Sequence, residues 1–202
     1  LEKHLVPLLK KRLKAENLKT KNKDKTKNKN PSNRFCWGFY IFMKKKLFQN
    51  IFLIKKKFSK NKYYFYLKTP KITLIIPKLG DKYLVVSQYR IPIRKRIYEF
   101  PGGIVDQGDT PEKSSLKELL EETGYKSLKK PTKLLTLYPD AGRLDCEYIC
   151  YFTDNITKID TPEKGILIHF FNKRKIIKLI KNKKFSHSCH VAAFYTFLNE
   201  LN

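Results

Sequence analysis

Glu118, Glu121 and Glu122 stand at i, i+3 and i+4 just after a glycine-containing turn, and this spacing constrains the chain more than any other feature of it. On a helix turning about 100° per residue, the three carboxylates fall within an arc of roughly 100°. Leu116, Leu119, Leu120 and Thr123 fall on the opposite side. One face can dock on a core while the other gathers negative charge. The start and stop signals agree: Thr110 suits the N-cap, Pro111 the first helical position, and Gly124 the stop after Thr123. Carboxylates so close repel one another unless cations lie between them. Hard divalent ions bound through oxygen, Mg2+ foremost, meet that need.

The rest of the pattern predicts strands at Phe48–Ile54, Tyr63–Leu67, Ile72–Ile76, Tyr83–Gln88, Ile97–Phe100, Leu134–Leu137, Tyr148–Phe152 and Ile166–Phe171. Leu79-Gly80-Asp81-Lys82 reads as a hairpin turn between the third and fourth of these. Asn172–Ile180 and His187–Leu201 read as helices. Strands, a helix, more strands and two closing helices predict an α/β (α+β) chain, a mixed sheet between helical layers in one domain.

Lysine and arginine outnumber the acids enough to leave a net charge of +26 over 202 residues. A basic chain invites a nucleic-acid or membrane reading. Lysine supplies 37 of the 44 cations and alanine occurs only four times, the mark of a compositional bias toward Lys and Asn and not of a selected basic face. The basic balance can still draw an anionic substrate to its cleft. Residues 1–42 carry a net +9 and include a polar run from Lys19 to Asn33, too poor in apolar residues to offset its ordering entropy. We read them as a low-complexity extension ahead of a domain at 43–202, with translation starting at Met43, the only methionine. The apolar run Phe35–Met43 falls well short of the roughly 20 residues of a membrane helix. No membrane partner and a cytoplasmic location are expected. Cys36, Cys146, Cys150 and Cys189 contain no CxxC pair and predict no disulfide framework. His187 and His190, at i and i+3, read as a helix terminus and not as metal ligands, since no further ligand clusters near them in sequence.

Residues 103–125 resemble the Nudix box, G-x5-E-x7-R-E-U-x-E-E-x-G-U, with U a bulky apolar residue. Gly103, Glu118, Leu119, Glu121, Glu122, Gly124 and Tyr125 occupy its positions. Asp109 stands where the pattern has Glu, and Lys117 where it has Arg. In the family those two form an ion pair that orients the catalytic glutamate. The resemblance therefore implies an Asp109–Lys117 pair, shorter and without the bidentate fork of arginine. It covers roughly residues 48–200 and implies the family's α/β/α sandwich.

Nudix enzymes hydrolyse nucleoside diphosphates linked to another moiety. By resemblance, Glu118, Glu121, Glu122 and the Gly102 carbonyl hold Mg2+, with Mn2+ as a substitute. Gln88-Tyr89-Arg90 and Glu99-Phe100-Pro101-Gly102-Gly103 look like segments of the ADP-ribose pyrophosphatase branch, in which the Arg90 and Glu99 equivalents contact substrate. The loop Tyr138–Glu147 resembles the segment after the box in the same branch, which nominates Arg143 and Glu147 for substrate binding, although Asp140-Ala141 replaces the usual Ser-Pro. The general base of that branch often sits on a loop before the last strand, where Glu163 lies; Glu118 itself is the base in other branches. Asp109 and Lys117 complete the catalytic set.

The resemblance thus implies hydrolysis of a nucleoside diphosphate sugar, ADP-ribose to AMP and ribose 5-phosphate. GDP-mannose, a dinucleoside polyphosphate or an RNA cap are the alternative substrates. A non-catalytic nucleic-acid-binding module is the alternative of another kind, and the acidic triad argues against it because it would repel a polyanion. Several members of the branch are homodimers built through N-terminal strands, which implies a homodimer here.

Overall fold

The computed structural model describes residues 40–48 and 50–200. The expected extension at 1–42 lies outside the described residues except for 40–42, which belong to the first strand. Strand β1 (Tyr40–Phe48) pairs antiparallel with β2 (Ile51–Ser59), and β2 with β3 (Lys62–Lys68). The single strand expected at Phe48–Ile54 is therefore two: Phe48 closes β1 and Ile51 opens β2. Only Gln49-Asn50 separates the apolar pair Leu47-Phe48 from the apolar run Ile51–Ile54, so the expected strand runs across a two-residue connection.

The main sheet has seven strands. β4 (Ile72–Leu79) and β5 (Lys82–Arg90) form the expected hairpin, with Gly80 at φ 59°. They pair only near that turn, at Lys78–Tyr83 and Leu79–Lys82, and then diverge. After a short 3-10 turn at Ile91–Ile93, β6 (Lys95–Glu99) fills the gap along β5, and β7 (Gly102–Ile104) fills it along β4. The chain crosses from one to the other at Phe100-Pro101, where the Pro101 carbonyl accepts the Ile75 N–H at 2.9 Å. This wedge places Glu99, Gly102 and Gly103 between the two central strands.

Helix α1 (Pro111–Thr123) follows and leads into β8 (Tyr125–Ser127). β9 (Thr132–Leu137) forms an edge of the main sheet; β10 (Leu144–Asp145) joins β3 in parallel. β11 (Tyr148–Thr153) lies parallel to β4 and antiparallel to β9. β12 (Ile156–Lys158) pairs with β8, and β13 (Leu167–Asn172) with β5. Helices α2 (Lys173–Lys181) and α3 (Ser188–Glu200) close the described chain.

The period-2 alternation of the central strands divides the core. Leu74, Ile76 and Val85 pack with Phe100 against Ile176 and Leu179 of α2 and Phe194, Phe197 and Leu198 of α3. Ile75, Leu84 and Val86 face the other way, onto Leu119 of α1 with Ile149, Tyr151 and Ile156. The sheet is thus mixed and lies between α1 on one side and α2 with α3 on the other, as expected from the order of elements. Cys146, Cys150 and Cys189 are buried and free. No helix of the described residues is long and apolar enough to cross a membrane.

Candidate active site

Helix α1 is set by its ends. The Thr110 side chain accepts the Lys113 N–H at 3.2 Å, Pro111 opens the helix, and Gly124 closes it at φ 73° with its N–H on the Leu120 carbonyl. The acidic face does not point uniformly to solvent. Glu121 is exposed, whereas Glu122 is only 6% exposed and sinks against β7. There Oε2 of Glu122 accepts the Gly102 N–H at 3.0 Å, and Oε1 accepts from Gln88 Nε2 at 3.3 Å. Glu118 lies over Gly103, where a Cβ would collide with the Glu118 carboxylate. A residue without a side chain is what lets the strand and this carboxylate share the space.

Electrostatics follow from that placement. Burial pushes the Glu122 carboxyl up to about 7, opposed by the Gly102 hydrogen bond and reinforced by the charge of Glu118. Glu118 is raised too, first by burial and then by Glu121, with smaller contributions from Asp106 and Glu163. Among the described residues neither Glu118 nor Glu122 forms a salt bridge, although Lys117 and Arg90 oppose the two shifts from farther off. Lys117 Nζ sits 2.6 Å from Asp106 Oδ2 and 3.9 Å from Glu121 Oε1. The donor set is therefore all oxygen, crowded, partly desolvated and short of positive charge, which fits a hard divalent ion.

The ion pair implied between Asp109 and Lys117 does not form. Asp109 bonds Lys113 at 2.6 Å, one turn along α1, and Lys117 reaches past it to Asp106. Aspartate lacks the methylene that glutamate would use to reach position 117, and a lysine one turn nearer captures it.

Other nominated residues divide. Arg90 donates to Glu99 Oε2 through both Nε (2.9 Å) and an Nη (2.7 Å), and both side chains act on the Glu122 carboxyl. The Glu99 side chain is 0% exposed and holds Arg90, which is 39% exposed. Glu163 lies on the loop before β13, and its N–H donates to the Glu121 carbonyl at 2.9 Å. That loop is also tied down at Gly124, whose carbonyl accepts the Ile159 and Asp160 N–H groups and whose missing side chain leaves room for the Asp160 carbonyl. Arg143 makes no hydrogen bond or ion pair with this cluster among the described residues. It lines a cleft of about 870 Å³ with Tyr64, Tyr66, Tyr138 and Asp145, bridged by a hydrogen bond from the Tyr64 hydroxyl to the Gly142 carbonyl. Glu147 pairs with Lys71 at 2.7 Å, which raises the Lys71 amine.

Gln88, Asp106 and the cleft tyrosines were not singled out from sequence. Gln88 sits in the same strand segment as Arg90, and a buried carboxylate in need of a donor is what identifies it. Asp106 and the tyrosines meet their partners only through the fold.

The NUDIX domain pattern matches residues 68–179, more than half of the chain. An ADP-ribose pyrophosphatase of Bacillus subtilis is 42% identical over 64 residues, covering 32% of this chain and 34% of that protein. An ADP-sugar pyrophosphatase of Mus musculus is 46% identical over 43 residues, covering 21% and 20%. The alignments thus span about a third or less of these relatives' own lengths. A crystal structure of an ADP compounds hydrolase superposes with a TM-score of 0.68 at 15% identity, over 84% of this chain and 97% of that one, and shows the shared fold. The box residues on α1, the mixed sheet between its helices and the domain match agree, and this chain belongs to the Nudix family.

Proposed function

We propose that this protein is a divalent-metal-dependent hydrolase of nucleoside diphosphates linked to another moiety, with ADP-ribose as substrate and AMP and ribose 5-phosphate as products. One observation carries the reading: Glu118 and Glu122 are partly or wholly buried, mutually repelling carboxylates without a salt bridge among the described residues, close to the half-exposed Arg90 guanidinium that Glu99 holds in place. The names of the Bacillus subtilis and Mus musculus relatives support the choice of an ADP-linked substrate.

Glu118, Glu121, Glu122 and the Gly102 carbonyl would hold Mg2+, with Mn2+ as a substitute. The ion would screen the diphosphate and lower the pKa of water. The remaining work falls to the chain. Gly102 N–H and Gln88 orient Glu122. Arg90, fixed by Glu99, presents a guanidinium to a phosphate oxygen. Glu163, on a loop pinned to α1, is within electrostatic reach of Glu118 and can accept the proton of the attacking water. The tyrosine-lined cleft beside Arg143 offers flat apolar faces on which a nucleobase can stack. A homodimer through the N-terminal strands belongs to the same reading and is checked by light scattering.

The test is product analysis of the purified full chain with Mg2+ against ADP-ribose, GDP-mannose, diadenosine polyphosphates and capped RNA. AMP and ribose 5-phosphate from ADP-ribose at the highest kcat/KM support the reading. Turnover of none of the panel, or unchanged turnover after removal of the divalent ion, overturns it.

A further inference from the structure

Behind the Arg90–Glu99 pair lies a second group of donors. The ligand atoms of Glu99, His187 and His190 lie within 4.8 Å of one another, the only such trio of His, Cys, Asp or Glu among the described residues. The sequence joins His187 and His190 at the start of α3; the fold brings up Glu99 from the end of β6. Two polar atoms of this group, Glu99 Oε1 and His187 Nδ1, are buried with no hydrogen-bond partner. A buried polar atom without a partner is destabilising, and two in one cluster of donors point to something that satisfies both.

We propose that Glu99, His187 and His190 form a binding site for a transition-metal ion of the zinc class, separate from the carboxylate cluster on α1. Charge does not drive it, because Arg90 already neutralises Glu99 through Oε2. Binding rests on imidazole lone pairs, and mixed nitrogen and carboxylate donors select Zn2+, Co2+ or Ni2+ over Mg2+. His187 is prepared for this: its Nε2 lies 3.2 Å from the Tyr148 hydroxyl, so a proton donated there leaves the Nδ1 lone pair free. That outer partner is the usual way a ligating imidazole is oriented. His190 is held differently. The Phe100 N–H donates to its Nδ1 at 3.1 Å, which places the ring proton on Nε2. An ion gains His190 through Nδ1 by displacing the Phe100 N–H, with the ring proton kept on Nε2, whereas Glu99 Oε1 and His187 Nδ1 are available at once. Donors in a tetrahedral shell at about 2.1 Å stand roughly 3.4 Å apart, so loading draws the group together by about an ångström. Entry is through a cavity of about 430 Å³ lined by Arg90, Glu99, Tyr148, Ser186, His187 and Ser188, which leaves room for solvent in the remaining positions. Loaded, the site fastens the first turn of α3 to the β6–β7 crossing.

The test is a Co2+ titration of the full chain in excess Mg2+, read by visible absorbance. One equivalent of Co2+ giving an imidazole-coordinated spectrum, lost or weakened roughly tenfold or more in His187→Gln and kept in Glu122→Gln, supports the site. No spectrum in the wild type, unchanged affinity in His187→Gln, or loss in Glu122→Gln with retention in His187→Gln overturns it. X-ray absorption of the Zn2+-loaded wild type needs no variant: an imidazole shell supports the assignment, and a shell of oxygen alone overturns it.

Discussion

The backbone N–H of Gly102 donates to Glu122 Oε2 at 3.0 Å, joining β7 to α1 across 20 residues of chain. This bond fixes a carboxylate at the one place where the widest gap between the central strands meets the acidic helix. It also keeps that carboxylate anchored while burial makes its charge costly.

Glu122→Gln keeps the shape and can still accept the Gly102 N–H. It should lower kcat by two orders of magnitude or more, on the order of 3 kcal/mol in the barrier, if the lost charge is the metal ligand proposed above. The metal-free variant should at the same time melt higher than the metal-free wild type, since an uncharged amide is cheaper to bury. Steady-state kinetics with Mg2+ and thermal melts in chelator check the two halves together.

The Glu122 contribution to stability of the metal-free protein should fall as pH rises. Glu122 ionises near its ordinary 4.5 in the unfolded chain and at about 7 when folded. The stability this group contributes is present below 4.5 and lost as pH rises to 7, by roughly 3 kcal/mol. The buried histidines, held below their ordinary range, act in the opposite sense, so the contribution is read as the difference in melting temperature between wild type and Glu122→Gln in chelator. That difference should shift in favour of Glu122→Gln across the window; a difference independent of pH would contradict the burial of this carboxyl.

Gly103→Ala places a methyl group on the Glu118 carboxylate. The helix is held at both ends by Thr110 and Gly124, so the fold should survive while Glu118 is displaced. Metal affinity is expected to drop about tenfold to a hundredfold, read by Mg2+ dependence of turnover, with an unchanged far-ultraviolet spectrum.

Double-mutant cycles should couple Lys117 to Asp106 and not to Asp109. The pair is exposed, so the coupling should be small, seen in denaturant melts at low salt and lost at high salt. A larger coupling of Lys117 to Asp109 would restore the family's pairing in place of the one described here.

Glu99→Gln leaves the half-exposed Arg90 guanidinium without its counter-charge and puts an amide in a fully buried position. A loss of about 1–2 kcal/mol of stability is expected, with KM for substrate raised as Arg90 loses its hold. Equilibrium unfolding and a KM measurement at a temperature where the variant is folded separate the two effects.

Much of this could be read from the chain because the interactions concerned are local. Thr110, Pro111 and Gly124 act within a few residues of themselves, so the bounds of α1 and the spacing of its three glutamates were legible. The same holds for the hairpin at Gly80, and alternating apolar residues foretold a sheet covered on both faces. Less was legible where a turn is very short: only Gln49-Asn50 divides β1 from β2 within one apolar stretch.

Distance along the chain marks the rest. Sequence assigned Asp109 to Lys117, Glu99 to a substrate and the two histidines to a helix end. The tertiary structure turned Lys117 to Asp106, buried Glu99 under Arg90, and carried Glu99 to within 4.8 Å of His187 and His190. Periodicity and capping depend on neighbours in sequence, and so residues 103–125 determined a helix, its acidic stripe and the family. Burial and charge pairing depend on neighbours in space, and only the wedge between β4 and β5 decided which carboxylate is desolvated, which cation reaches it and which donors meet behind it.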